Sequence, residues 1–255
     1  MKRTIRKLNI VFLVFVVLLL FLLFLVIYRH EPAKRYVLLS FDVEPVDGRE
    51  NVEEILDILS DSHINATFFV TGEYAQQYPS VVRRMANYEV GCHGYSHKAF
   101  TKMDYEEKER EMTRCSDAVI NATGMRVAGF RAPYNLIDAE TLDILDGLGF
   151  TYDASIIKGL GFLYPGFATT DIGEIPVSSI FGVPLEDVVW AYYLRLDGAY
   201  FYILQNKVGE IESYLFHPHH IVGHKKEFIT FINHLKTLNV TFISHLELTQ
   251  AHEGV

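Results

Sequence analysis

The sequence predicts an α/β fold with a parallel sheet, closed or nearly closed into a barrel, and three observations lead there. Strand-like and helix-like segments alternate from Tyr36 onward, and a βαβα order builds parallel sheets. The strand-like segments are short apolar runs such as YVLLSF at 36–41 and ATFFV at 66–70, as expected of strands buried on both faces. The residues best suited to chemistry fall just after such runs, where α/β folds assemble their sites. The 255 residues are 49% hydrophobic and 13% aromatic, enough for a sizeable core. A formal charge of -9 argues against nucleic acid as a partner, because it repels phosphates.

The N-terminus stands apart. Lys2, Arg3, Arg6 and Lys7 precede an unbroken apolar run over 10–27, closed by Tyr28, Arg29 and His30. With its flanks, the run is long enough to cross a ~30 Å hydrocarbon core as a helix. A cleaved signal peptide has a shorter apolar region followed by small residues, and Tyr28-Arg29-His30-Glu31-Pro32 offers no such site. The sequence therefore predicts a basic stub and transmembrane signal-anchor over 1–30. A catalytic domain over 31–255 follows, facing outward in a single-pass membrane protein. The only two cysteines are Cys92 and Cys115, too few for a disulfide framework. The two could pair in an oxidising compartment, but Cys92, at an apolar strand end, reads rather as a buried free thiol.

The elements follow in order. A strand over 36–41 precedes a helix over 51–60, with Val52, Ile55, Leu56 and Leu59 on one side. Next come a strand over 66–70, a helix over 74–87, a strand over 89–92 and a charged helix over 104–121. Strands over 127–130 and 151–152 flank a helix over 139–148. The stretch 159–181, rich in Gly, Pro and aromatics, reads as loops around a short strand at 174–177. A strand over 214–216, a helix over 225–238 and a strand over 240–244 complete the chain.

Four clusters carry chemistry. Asp42 and Glu44 end the first strand, and a side-chain period of two projects both carboxylates the same way. Two adjacent carboxylates repel unless a cation or proton sits between them. His93 and His97 follow the third strand; on a helical turn two such imidazoles share a face and reach one metal ion. Two nitrogens and one carboxylate leave room for water, as at a catalytic zinc site. Arg131 opens RAPY at 131–134; an arginine there can hold a carboxylate ionised. Pro133 restricts the backbone where Tyr134 presents its N–H, a donor to a developing oxyanion. His217 ends a strand and can protonate a leaving amine near neutral pH. His219 and His220 read as loop histidines.

This set resembles the polysaccharide deacetylase family, the carbohydrate esterases acting on chitin oligosaccharides and peptidoglycan. Five motifs appear in order between Tyr36 and Leu248: SFDVE at 40–44, HGYSH at 93–97, RAPY at 131–134, YDAS at 152–155 and LFHP at 215–218. The resemblance implies a distorted (β/α) barrel with seven or eight mainly parallel strands. It assigns Asp42 as general base, Glu44, His93 and His97 as metal ligands, and Arg131 as the residue orienting the base. It further assigns the backbone at Tyr134 as oxyanion donor, His217 as general acid and Asp153 as a supporting residue. Zn2+ is the default cation, with Co2+, Ni2+ and Fe2+ also suited to such ligands. The implied reaction removes amide-linked acetyl groups from an N-acetylated surface polysaccharide or cell-wall glycan. Two departures stand out: Val43 separates Asp42 from Glu44 where the commonest pattern has consecutive aspartates, and His219-His220 replaces an acidic signature. The alternatives are an allantoinase-like hydrolase of cyclic amides and a glycan-binding module without catalysis. The stretch 159–206 is expected to shape the substrate groove, with Tyr164, Trp190, Tyr192 and Tyr193 either stacking on sugar or packing in the core.

Overall fold

The computed structural model describes Leu18–Leu19 and residues 34–160 and 172–253. The apolar run over 10–27 with its anchor role, and Tyr164, lie outside the described residues, apart from helical Leu18 and Leu19. Among the described residues no helix is long and apolar enough to cross a membrane. The chain divides into two compact units, 1–34 and 35–255; everything below concerns the second.

The fold is α/β, built on a curled, parallel sheet that forms a half-barrel. Its strands are β1 (Arg35–Val43), β2 (Thr67–Val70), β3 (Glu89–Cys92), β4 (Gly129–Phe130), β5 (Tyr152–Asp153) and β6 (Gly173–Glu174), with β9 (Ile211–Phe216) and β10 (Val240–Phe242). Strands β1 to β6 lie side by side in chain order. One edge of β1 takes β9; the other is divided between β10 at Arg35–Val37 and β2 at Ser40–Val43. β6 and β9 do not pair as strands. The segment around the hairpin β7 (Ser179–Ile180) and β8 (Val183–Pro184) crosses that side, with Ser178 N donating to Ser213 O and Leu215 N to Leu185 O, each at 3.0 Å. A closed barrel is therefore not formed by strands alone.

The helices α1 (Gly48–Ser62), α2 (Gly72–Gln77), α3 (Pro79–Met85), α4 (Tyr105–Thr123), α5 (Ala139–Gly147) and α8 (Lys225–Thr237) match the predicted helical regions with one break. The helix expected over 74–87 is two helices, because Pro79 has no N–H to continue the ladder and opens α3 at its N-terminus. α6 (Tyr200–Leu204), α7 (Pro218–Gly223) and α9 (His245–Glu253) were not foreshadowed by periodicity. Asp104 and Asp138 cap α4 and α5, accepting from Glu107 N at 2.8 Å and Thr141 N at 2.9 Å.

β1 shows how the sheet separates core from site. Val37, Leu39, Phe41 and Val43 join the large core between sheet and helices, while Leu38 joins the smaller cluster with Phe69 and Tyr152. Ser40 and Asp42 share the parity of Leu38, so they face the inside of the curl. Cys92 and Cys115 form a disulfide that ties β3 to α4. This corrects the expectation of a free thiol; the thiols are 23 residues apart in sequence, and only the packing of α4 against β3 brings them together.

Candidate active site

Strand register puts the chemical residues on one level. Val43 pairs with Val70, Val70 with Cys92, Cys92 with Phe130, and Phe130 with Asp153. Glu44, His93 and Arg131 are each the next residue beyond that row. On the other edge of β1, Phe41 pairs with Phe216, so Asp42 and His217 are each one step further along. The result is a cleft of about 360 Å³ lined by Asp42, Glu44, His93, His97, Tyr134 and His217, among others.

Arg131 is wholly buried beneath this cleft. Its Nη1 donates to Asp42 Oδ1 at 2.9 Å and Ser40 Oγ at 2.8 Å, and its Nε donates to Ala154 O at 2.9 Å. The guanidinium lies 4.3 Å from the centre of the Phe69 ring. A guanidinium fixed on several sides fixes the carboxylate it holds. The second Asp42 oxygen is 3.6 Å from His93 Nε2.

Glu44, His93 and His97 offer ligand atoms that all lie within 4.8 Å of one another. His93 Nδ1 donates to the Arg131 carbonyl at 2.8 Å, which leaves the Nε2 lone pair for a cation. Burial pushes its pKa down, favouring the neutral ring that metals bind. Glu44 Oε1 is 2.9 Å from His97 Nε2. Burial would raise the Glu44 pKa, but the His97 hydrogen bond and the charges of His93, His97 and His217 outweigh it and hold the carboxyl at about 2. Two imidazole nitrogens and a carboxylate in this arrangement fit a divalent cation with open positions.

The two histidines do not share a helical turn, contrary to the expectation. Residues 93–97 form a loop in which Gly94 has φ +68° and His97 φ +53°. A Cβ at Gly94 would lie 3.0 Å from the Phe100 ring besides straining the backbone. Glu111 of α4 clamps this loop, accepting from Tyr95 N at 3.0 Å, Ser96 N at 2.8 Å and Ser96 Oγ at 2.9 Å.

Tyr134 has φ +63° and Asn135 φ +56°, and no acceptor among the described residues takes the Tyr134 N–H. Asp153 is buried and does not line the cleft. It accepts from Ser155 N at 2.8 Å and Ser155 Oγ at 2.6 Å, while Ser155 Oγ accepts from Ala132 N at 2.7 Å. It thus supports the RAPY loop from behind.

His217 donates from N and Nδ1 to the two oxygens of Asp187, both at 2.7 Å. Burial would lower the His217 pKa, but Asp187 outweighs it, helped by Asp42 and Glu186, and raises it to about 10. Asp187 is held well below the ordinary carboxylate range despite its burial, by the charge of His217 and its hydrogen bonds. Glu186, also on the cleft, is pushed up to about 7, mainly by burial.

Residues 29–152, just under half of the chain, match the family model described as polysaccharide deacetylase. Over that segment the chain resembles a polysaccharide deacetylase domain. A peptidoglycan-N-acetylglucosamine deacetylase of Bacillus cereus is 29% identical over 150 residues, 52% of this chain and 54% of that protein. A peptidoglycan deacetylase-like protein of Gibberella zeae is 32% identical over 113 residues, 43% of this chain and 33% of that one. The chain thus spans from a third to about half of these relatives' length. Among solved structures, a CE4 family pseudoenzyme from Bacillus anthracis superposes with a TM-score of 0.66 at 21% identity, covering 86% of this chain and 66% of that one. That likeness extends the fold beyond the matched segment.

Several residues in and around the cleft went unread in the sequence. Asp187 follows no strong strand pattern and had no signal of its own. His219 and His220 are not loop histidines: both lie on α7 and line the cleft. Asp47 accepts from Glu44 N at 2.8 Å and from His219 N and Nδ1 at 3.0 and 2.6 Å, bolting the loop after β1 to α7. Of the aromatics, Tyr192 and Tyr193 are exposed on the cleft. Trp190 is a core residue whose Nε1 donates to Pro184 O at 2.6 Å.

Proposed function

We propose that this chain is a metal-dependent amide hydrolase that removes acetyl groups from an N-acetylated cell-wall or surface glycan. The observation that carries this reading is the convergence of Asp42, Glu44, His93, His97 and His217 on one cleft. Glu44, His93 and His97 would hold the cation. When bound, it supplies Lewis-acid activation of water and of the acyl carbonyl. Asp42, oriented by Arg131, takes the proton of the attacking water, and the Tyr134 N–H donates to the oxyanion that develops. His217, kept protonated by Asp187, gives its Nε2 proton to the departing amine nitrogen. Exposed Tyr192 and Tyr193 offer ring faces to the sugar.

The relatives named as deacetylases support the acetamide as target, and the apolar run over 10–27 supports a membrane anchor presenting the domain outward. Zinc is the cation such ligands favour. The decisive experiment is acetate release from N-acetylated oligosaccharides, including peptidoglycan fragments, with and without chelator. Release that a chelator abolishes and zinc restores is the expected result; glycan binding without any release favours the non-catalytic module instead. The anchor is tested by alkaline extraction of membranes, which should leave the chain in the pellet.

A further inference from the structure

A second set of ligand atoms lies behind the wall of the same cleft that His217 and His220 line. Asp187, His217 and His220 offer one oxygen and two nitrogens, all within 4.8 Å of one another. Asp187 is wholly buried, with Oδ1 2.7 Å from His217 Nδ1 and Oδ2 3.7 Å from His220 Nδ1. His220 Nδ1 is itself buried and has no hydrogen-bond partner among the described residues. A buried polar nitrogen left unpaired in a native fold calls for a physical reason. Glu186, next in sequence to Asp187, adds a further carboxyl to this wall of the cleft.

We infer that Asp187, His217 and His220 form a second, weaker site for a divalent cation of the zinc type, and that filling it inhibits the enzyme. One carboxylate and two imidazoles are the donor set zinc favours. The cation competes with a proton. To bind, it takes His217 Nδ1, and the proton now shared with Asp187 leaves to solvent. The Nε2–H that remains then belongs to a neutral ring, a far weaker acid than imidazolium, so the departing amine loses its proton donor. Displacing that proton makes the site weaker than the one at Glu44, His93 and His97, where His93 already presents a lone pair. The inhibition, though not the site, rests on the reading of His217 as the acid.

The test is equilibrium dialysis of the full chain against zinc alone, with acetate release measured at each zinc concentration. The wild type should bind one tight equivalent and a second that is weaker by roughly a hundredfold or more. Acetate release should rise with the first and fall with the second. His220→Gln should keep the tight equivalent, lose the weak one and escape inhibition at the same zinc concentration. A single equivalent in the wild type up to millimolar zinc overturns the inference, as does a second equivalent of unchanged affinity in His220→Gln. If that variant loses both equivalents through misfolding, the wild-type stoichiometry decides alone. If no acetate is released at any zinc level, the deacetylase reading falls, while the count of bound equivalents still upholds or sinks the second site.

Discussion

Asp42 and His217 face one cleft from adjacent strands, yet their partners have different origins. Asp42 is held by Arg131, and both sit at strand ends whose level is set by an unbroken row of backbone pairs from β1 to β4. His217 also ends a strand, but Asp187 arrives from the irregular segment that crosses the open side of the half-barrel. That segment is tied to β9 by an isolated bridge between Glu186 and Leu215. The base side is thus set by sheet geometry, the acid side by a loop that must be docked. Substitutions on the two sides should fail in different ways.

The largest expected effect is on the base side. Asp42→Asn should lower turnover by roughly a thousandfold or more while binding metal normally; measurable acetate release near the wild-type rate sinks its role as base. His97→Ala should lose both metal and activity, read by metal content after dialysis. On the acid side, Asp187→Asn should cost about a hundredfold in turnover. It should also move the alkaline limb of the pH–rate profile down from about 10 toward an ordinary histidine value; an unmoved limb excludes the Asp187–His217 pair as the proton source. The same pair has a stability signature. A pKa raised on folding stabilises most below the unfolded histidine value of about 6.5, and that gain is lost as pH rises through the folded value. The wild type should therefore lose this stabilisation between about 6.5 and about 10, and Asp187→Asn should show no such loss in urea titrations across that range.

Smaller effects sharpen the contrast by touching the bolts between the walls. Asp47→Asn should weaken metal binding by roughly tenfold, since Asp47 fixes the backbone of Glu44; chelator competition reads this directly. Reducing the Cys92–Cys115 disulfide should lower unfolding stability by about 3 kcal/mol, from its 23-residue separation. Activity of the folded protein should change little.

The alternation of segments, the buried strand runs and the strand-end placement of Asp42, Glu44, His93, Arg131 and His217 were all legible in the sequence. They are local patterns: hydrophobic period and turn residues are properties of neighbouring positions. The packing partners were not. Glu111 under the histidine loop, Asp47 beneath His219, Asp187 beside His217 and Cys115 against Cys92 are each brought in by a different element. Even the His93–His97 pair meets through a left-handed loop rather than the helical turn its spacing suggested. Sequence alone fixed which groups can do chemistry and roughly where along the chain they fall. Tertiary structure decided which carboxylate serves which histidine, because such choices depend on strand register and loop docking between residues distant in the chain.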